Sequence, residues 1–289
     1  LYIFILMRIA ISSFILSCLL ITTSYSEDVS EKVSKLISEM IPGEGYTETS
    51  IDLRENNSPD FSILAVRELS KTDDGNFFTQ FSLFNTEKNS NERWVGNLGF
   101  GKRILSDDQT MMTGFNAFID YDSKSNSRGS LGVEAKNAVL EFNSNYYQEL
   151  PDSIGNNSGE KVLDGYDLRL ATQIPYLHWA KAFVNSYNWK GVDRDDIEGI
   201  TLGTDMLLSP TFNLELAFDD KDKAGVEDEW YAKLQFFYPP REGATAQDGI
   251  SDTMWKEEKD MSGELLNKVK RNNKIMIEFK GSSQITRTD

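Results

Sequence analysis

The chain has 289 residues and carries 30 basic against 46 acidic side chains, a formal net charge of −16. That balance argues against binding nucleic acid or an anionic membrane surface through a basic patch, and the length suits one or two domains. A mean hydropathy of −0.44 does not exclude a membrane protein, because in a transmembrane β-barrel only alternate strand residues meet lipid.

Met7-Arg8 followed by the apolar run Ile9–Thr23 reads as the basic start and hydrophobic core of a signal peptide, with Ser24-Tyr25-Ser26 as a small-x-small cleavage site. Residues 1–26 are therefore expected to be removed, with translation starting at Met7 and export through the Sec pathway. A transmembrane anchor is the alternative. The run is shorter than the ~20 residues a span needs, and extending it over Leu1–Leu6 would enclose Arg8. Cys18, the only cysteine, fits a lipoprotein site poorly, because the apolar run continues through Leu19-Leu20-Ile21. A mature chain would then have no cysteine and no disulfide. Residues 27–45 read as a short periplasmic helix and linker: Val29, Val33, Leu36, Ile37, Met40 and Ile41 fall at helical spacing before Pro42 stops it.

From residue 46 to 238 the period changes to two. Strands are expected at Tyr46–Arg54, Phe61–Leu69, Asn76–Thr86, Arg93–Arg103, Thr110–Asp122 and Arg128–Lys136, then at Ala138–Glu149, Leu163–Ile174, His178–Lys190, Ile197–Leu208, Thr211–Lys221 and Glu227–Tyr238. Their lengths sit close to the about 9–11 residues that cross a bilayer at a tilt. The alternation is sharpest where Phe115, Ala117, Ile119 and Tyr121 oppose Gly114, Asn116, Phe118, Asp120 and Asp122. It is poor in the second and third strands. One face is apolar and the other carries carboxylates, amides and glycines. A soluble sheet packed on a core can read this way; an unbroken series of long hairpins with aromatic ends favours an outer-membrane barrel. Every second connection should then be a short periplasmic turn, and the tight junctions at Lys136/Asn137, Pro175–Leu177 and Ser209–Pro210 fall in one set while Leu150–Val162 falls in the other. The fold expected is all-β: a twelve-stranded antiparallel transmembrane β-barrel.

Asp120, Glu134, Glu141, Asp167, Arg169, Glu215 and Lys233 fall on the inward parity. Their mixed sign suits a charge-paired lumen wall better than a selectivity filter. The last strand, with Trp230, Leu234, Phe236 and Tyr238 on the outward parity, should carry the terminal aromatics read by an assembly machinery. It should also close on the first strand, with Thr49 opposite Lys233 or one residue either side, because lipid offers no partner for an open edge.

Gly99-Phe100-Gly101-Lys102-Arg103, the run Met112 to Asp122, and Arg128-Gly129-Ser130-Leu131-Gly132-Val133-Glu134 resemble the translocator barrel of inverse autotransporters, the intimin and invasin family. Gly165–Leu170 with Pro175-Tyr176 resembles a later strand and turn, and Val269–Lys280 the segment after the barrel. The ordered match covers residues 46 to 280. It implies a tail that turns back into the pore and carries an exported passenger outward, through Val269, Arg271, Asn272, Asn273, Ile275, Ile277 and Phe279. Residues 239–289 read as a polar linker, a helix over 253–271 with Met254, Trp255, Met261, Leu265, Leu266 and Val269 as its apolar positions, and an extended segment. Gly263 weakens the helix. Lys268, Lys270, Arg271 and Lys274 are expected to face Asp120, Glu134 and Glu141. The alternative is a loose periplasmic extension. Only Gly281–Asp289 follows, so an adhesin passenger is expected to be missing or truncated.

The function expected is therefore an outer-membrane translocator, with outer-membrane lipid, the barrel-assembly machinery and its own tail as partners, and a host ligand only where a passenger exists. The rival is a stand-alone structural or pore-forming barrel. An enzyme would need His178, the only histidine, as a general base beside a nucleophile, but His178 sits at a turn. The pairs Asp107-Asp108 and Asp195-Asp196 lack calcium-loop spacing. Gly96–Gly101 lies in a strand with no helix after it, so it is no nucleotide loop. No cofactor or metal is expected.

Overall fold

The structure, a computed structural model, describes residues 43–55, 57–88, 91–150, 160–222, 228–256 and 260–279, together with Lys32, Lys35 and Glu39. Twelve strands close into an antiparallel barrel: β1 (Gly45–Arg54), β2 (Asn57–Thr72), β3 (Gly75–Lys88), β4 (Asn91–Leu105), β5 (Met111–Asp122), β6 (Ser127–Asn137), β7 (Leu140–Glu149), β9 (Gly165–Ile174), β10 (Leu177–Trp189), β11 (Ile197–Ser209), β12 (Phe212–Asp222) and β13 (Glu229–Tyr238). Two further short strands, β8 (Glu160–Val162) and β14 (Ile277–Phe279), pair with each other outside the wall.

The alternation that predicts these strands appears as an inverted pattern of exposure. Phe115, Ile119 and Leu131 are 60, 62 and 66 % exposed, whereas Asp120 and Arg128 on the other face are 0 % exposed. A soluble sheet packed on a core would bury the leucines and wet the charges. Here the wall turns apolar side chains outward and polar ones into the lumen, as a membrane barrel does. Among the described residues no helix is long and apolar enough to cross a membrane; the crossing is by strands. Closure satisfies the backbone of both end strands, which lipid could not do.

The connections divide into two ends. One, the turn end, has β2/β3 joined at Asp73–Asp74, β6/β7 at Ala138–Val139, β9/β10 at Pro175–Tyr176 and β11/β12 at Pro210–Thr211, with 106–110 the longest link. The other, the loop end, carries 150–164 with β8 inside it, 190–196 and 223–228. The expected first loops at 55–60 and 87–92 are shorter, because β2 begins at Asn57, β3 ends at Lys88 and β4 begins at Asn91; β2 and β3 run longer than their weak alternation suggests.

Two expectations are corrected. Residues 253–271 form no α-helix among the described residues; a 3-10 turn at Ser262–Glu264 interrupts an otherwise irregular path, and a second lies earlier at Ala246–Asp248. The seam is also offset by three residues: Thr49 pairs with Phe236, and Lys233 with Asp52. Thr49 and Lys233 stand on opposite faces of the sheet. The register brings inward Asp52 to Lys233 at 3.2 Å and Arg54 to Glu229 at 2.9 Å, so charge sets it. Cysteines in the Asp52→Cys/Lys233→Cys pair should cross-link on oxidation and the Thr49→Cys/Lys233→Cys pair should not; the reverse result would reject this closure. The expected signal peptide, 1–26, lies outside the described residues. Of the helix expected over 27–45, only Lys32, Lys35 and Glu39 are described before Gly43, and all three are helical.

Candidate functional site

The site is the lumen itself, occupied by the chain's own tail. After β13, residues 239–256 pass across the turn end. Ser251 N donates to Tyr176 O at 2.8 Å and Tyr176 N to Met254 O at 3.0 Å. The ring nitrogen Nε2 of His178 lies 3.0 Å from Thr253 O, and Trp179 Nε1 donates to Gly249 O at 2.9 Å. His178 thus stands beside the tail's entry. Asp108 caps the 106–110 turn through Ser106 and Thr110, and Asp196 accepts from Gly191 N; these acidic residues close turns.

An extended chain inside a barrel has no neighbouring strand, so its buried N–H and C=O groups need other partners. The wall supplies them as side chains. Arg103 Nη1 donates to the carbonyls of Leu265 and Asn267, and Asn76 Nδ2 reaches Leu265 O at 3.3 Å. Lys268 N donates to Tyr46 Oη at 3.0 Å and Val269 N to Gln80 Oε1 at 2.8 Å. Asn145 donates to Lys270 O, Arg128 to Asn272 O and Asn97 to Asn273 O, while Asn272 N donates to Tyr147 Oη. This network explains why the segment is not helical.

The charges follow the same path. Asp120 accepts from Arg128 Nη2 at 2.8 Å on one side and from Arg271 Nη2 at 2.7 Å on the other, with all three side chains fully buried. Asn97 adds a third bond to Asp120 at 2.8 Å. Arg271 also lies over the Phe118 ring, 4.2 Å from its centroid. Gly99 makes room for that ring: a Cβ there would stand 2.2 Å from Phe118. Gly101 does the same under Phe78, which carries Arg103 at 4.2 Å. The glycine motif is thus a pair of shelves for aromatic rings that support the two arginines.

Of the four tail cations expected to face Asp120, Glu134 and Glu141, only Arg271 does so, through Asp120. Glu134 is taken by Arg103 at 2.7 Å and Glu141 by Lys181. Lys268 instead meets Glu48 at 2.7 Å, Lys270 meets Asp205 at 2.7 Å, and Lys274 meets Asp60. Wall cations had already neutralised the expected partners. Asp167 accepts from Tyr147 Oη and Asn145, and Arg169 lies 3.8 Å from Glu215 and over the Phe183 ring. Lys233 belongs to the seam. Sequence parity could have found Glu48, Asp60 and Asp205, which share the inward face with residues already identified.

Apolar tail side chains find pockets between these polar groups. Met261 and Leu265 pack on Met112; Val269 joins Tyr46, Leu64, Val66, Phe78, Phe118 and Phe237; Ile275 and Ile277 meet Phe84, Val95 and Val162; Met276 meets Tyr147, Leu163, Tyr187 and Trp189. At the loop end the tail becomes β14. Ile277 pairs with Val162 and the backbone of Phe279 with that of Glu160. Glu160 is fixed by Arg93 at 2.6 Å and by Asn126, and Glu278 accepts from Val192 N and Asp193 N at 3.0 and 3.1 Å. On the outer face of β13, Trp230 is exposed against Phe218 (rings 5.0 Å apart), Leu234 and Tyr238 are half-buried, and Phe236 is buried on Phe212 at 5.1 Å.

Residues 19–273 match the family model described as the inverse autotransporter β-domain. A solved structure described under "Unveiling the Mechanism Behind the in-meso Crystallization of Membrane Proteins" is 21% identical, with 81% of this chain and 100% of that one covered and a TM-score of 0.63. A COG4313 outer membrane channel from Pseudomonas putida F1 is 8% identical over 68% of this chain and 96% of its own, with a TM-score of 0.48. The KdgM porin is 10% identical over 66% and 98%, at 0.46. Comparison with curated proteins gives no match.

Proposed function

The chain belongs to the inverse autotransporter family through its β-domain, an outer-membrane barrel, and on that premise we propose that it is a translocator which threads and anchors its own C-terminal segment across the outer membrane. Short turns mark the periplasmic side of such barrels and longer loops the outer side, so the turn end is periplasmic.

One observation carries the reading: the tail's partners climb the wall in sequence order. Met261 N donates to Gln109 O in a periplasmic turn. Leu265 is held by Arg103, Val269 by Gln80, Asn273 by Asn97, and Ile277 by β8 in an outer loop. Twelve steps from Leu265 to Ile277 reach up to about 40 Å at ~3.3 Å each, more than the ~25 Å apolar band of a barrel. A loose periplasmic extension would have no reason to engage the wall at every level.

In this reading the precursor leaves through the Sec pathway, and the barrel-assembly machinery reads the aromatic end of β13. The barrel sits in outer-membrane lipid, and a passenger beyond the tail would meet any host ligand. Residue 283 lies outside the described residues and provides the test. A Ser283→Cys protein should react with a membrane-impermeant thiol reagent on intact cells; Cys18 falls in the segment removed as a signal peptide, so no other thiol competes. Protection on intact cells, with labelling only after the outer membrane is opened, overturns the translocator reading.

A further inference from the structure

The tail does not fill the lumen evenly. Its backbone over 265–273 is held by side chains of β3, β4, β6 and β7 and by Tyr46 of β1, whereas two cavities remain on the β9–β13 side of the lumen. The outer one, of about 210 Å³, is bounded by Asp52, Asp60, Arg169, Tyr187, Glu215 and Lys233 among others. The periplasmic one, of about 190 Å³, is bounded by Glu141, Gln173, Lys181, Phe237, Arg241 and Glu264 among others. Lys268 and Lys270 line both. Asp60 Oδ1 and the Nε atoms of Arg54 and Arg169 are buried beside the outer cavity without a hydrogen-bond partner. Roomy polar cavities with unsatisfied groups hold water.

A continuous set of side-chain bonds separates the two spaces. Lys268 Nζ donates to Glu48 at 2.7 Å, and Gln235 Nε2 donates to the same carboxylate at 2.9 Å. Asn213 Nδ2 bridges Gln235 Oε1 and Asp205 Oδ1, each at 2.7 Å. Lys270 Nζ donates to Asp205 Oδ2 at 2.7 Å and closes the set on the tail. The bonds run from the tail across β1, β13, β12 and β11 and back to the tail two residues later. We propose that this ring is a septum across an ion-sized water path beside the threaded chain, and that the two lysine–carboxylate pairs keep the path shut.

The septum has two cations and two anions, so it is neutral while closed. Without the lysines, Glu48 and Asp205 would remain as a pair of carboxylates where the two cavities adjoin, an arrangement that favours cations. The proposal concerns the lumen alone and holds whether or not a passenger is exported.

Planar-bilayer recordings of the purified full chain in a potassium chloride gradient provide the test. The unaltered protein should be silent. The double variant Lys268→Ser/Lys270→Ser should give discrete current steps with a reversal potential shifted toward that of potassium. Asn213→Ala/Gln235→Ala, which breaks the wall side of the ring and leaves the tail untouched, should also conduct, with weaker cation preference. Asn185→Ala, which lines the outer cavity outside the ring, should stay silent. Silence of both double variants, each confirmed as a closed barrel by its heat-modifiable migration, overturns the septum. Steps of equal size in the unaltered chain or in Asn185→Ala do the same. Passage of a tetrasaccharide through the opened variants would mean that the tail has left the lumen, and that too overturns it.

Discussion

Arg271→Glu is expected to drive the tail out of the lumen while leaving the barrel closed. Asp120 lies between Arg128 and Arg271 with no solvent access to any of the three. Removing one partner of a buried ion pair costs about 3–5 kcal/mol, and a glutamate at 271 would add repulsion where attraction had been. It would also lose the bond to Ser130 Oγ at 3.0 Å and the Phe118 ring face. The twelve-stranded ladder involves none of these contacts, so heat-modifiable migration should survive. Limited proteolysis of the refolded protein should cut within 265–279 in the variant and spare the unaltered chain. Arg271→Lys should fall between them, since an ammonium keeps the charge but loses the two-pronged bond and the stacking. A tail that stays resistant in Arg271→Glu would mean that its seat is held elsewhere.

The strands were legible because lipid and lumen impose opposite chemistries on a period of two. Where one of those chemistries changes, legibility fails. The inner wall of β2 and β3 includes Leu64, Val66 and Phe78, buried around Val269. That patch of lumen is apolar, so these strands lose their contrast and read poorly. The β1–β13 register was hidden for a different reason. Pairing Thr49 with Lys233 misses by three, an odd number that sets an outward residue against an inward one and that parity excludes; parity leaves open only sliding by an even number, and Asp52 meeting Lys233 decides that. The tail misleads in a third way. Met261, Leu265 and Val269 recur at a spacing of four and suggest a helical stripe, yet they fill separate pockets on Met112 and around Phe78 and Phe118. A wall that binds backbone groups with Arg103, Asn145, Arg128 and Asn97 removes the need for internal helical bonds. Those wall residues could not be identified from local pattern, because their role exists only when a second segment arrives some 125 to 176 residues later in the chain.

Leu131→Arg is expected to destabilise the barrel strongly, and Leu140→Arg only slightly. Both leucines face outward, 66 and 47 % exposed. They differ in depth. Leu131 sits near the centre of β6, paired with Ala117 on one side and Tyr146 on the other, so an arginine there meets the middle of the hydrocarbon. Leu140 is the first residue of β7, next to the turn Ala138–Val139, where a long cationic side chain reaches the interface. On a lipid-facing strand an arginine costs about 2–4 kcal/mol at the midplane and roughly 0–1 near the edge. Reversible denaturant unfolding in phospholipid vesicles reads both values against the unaltered protein. Vesicles are required, because a micelle adapts to the charge and flattens the gradient. Equal costs at the two positions would contradict the strand depths assigned here, and no cost at Leu131 would mean that this face of β6 does not meet lipid.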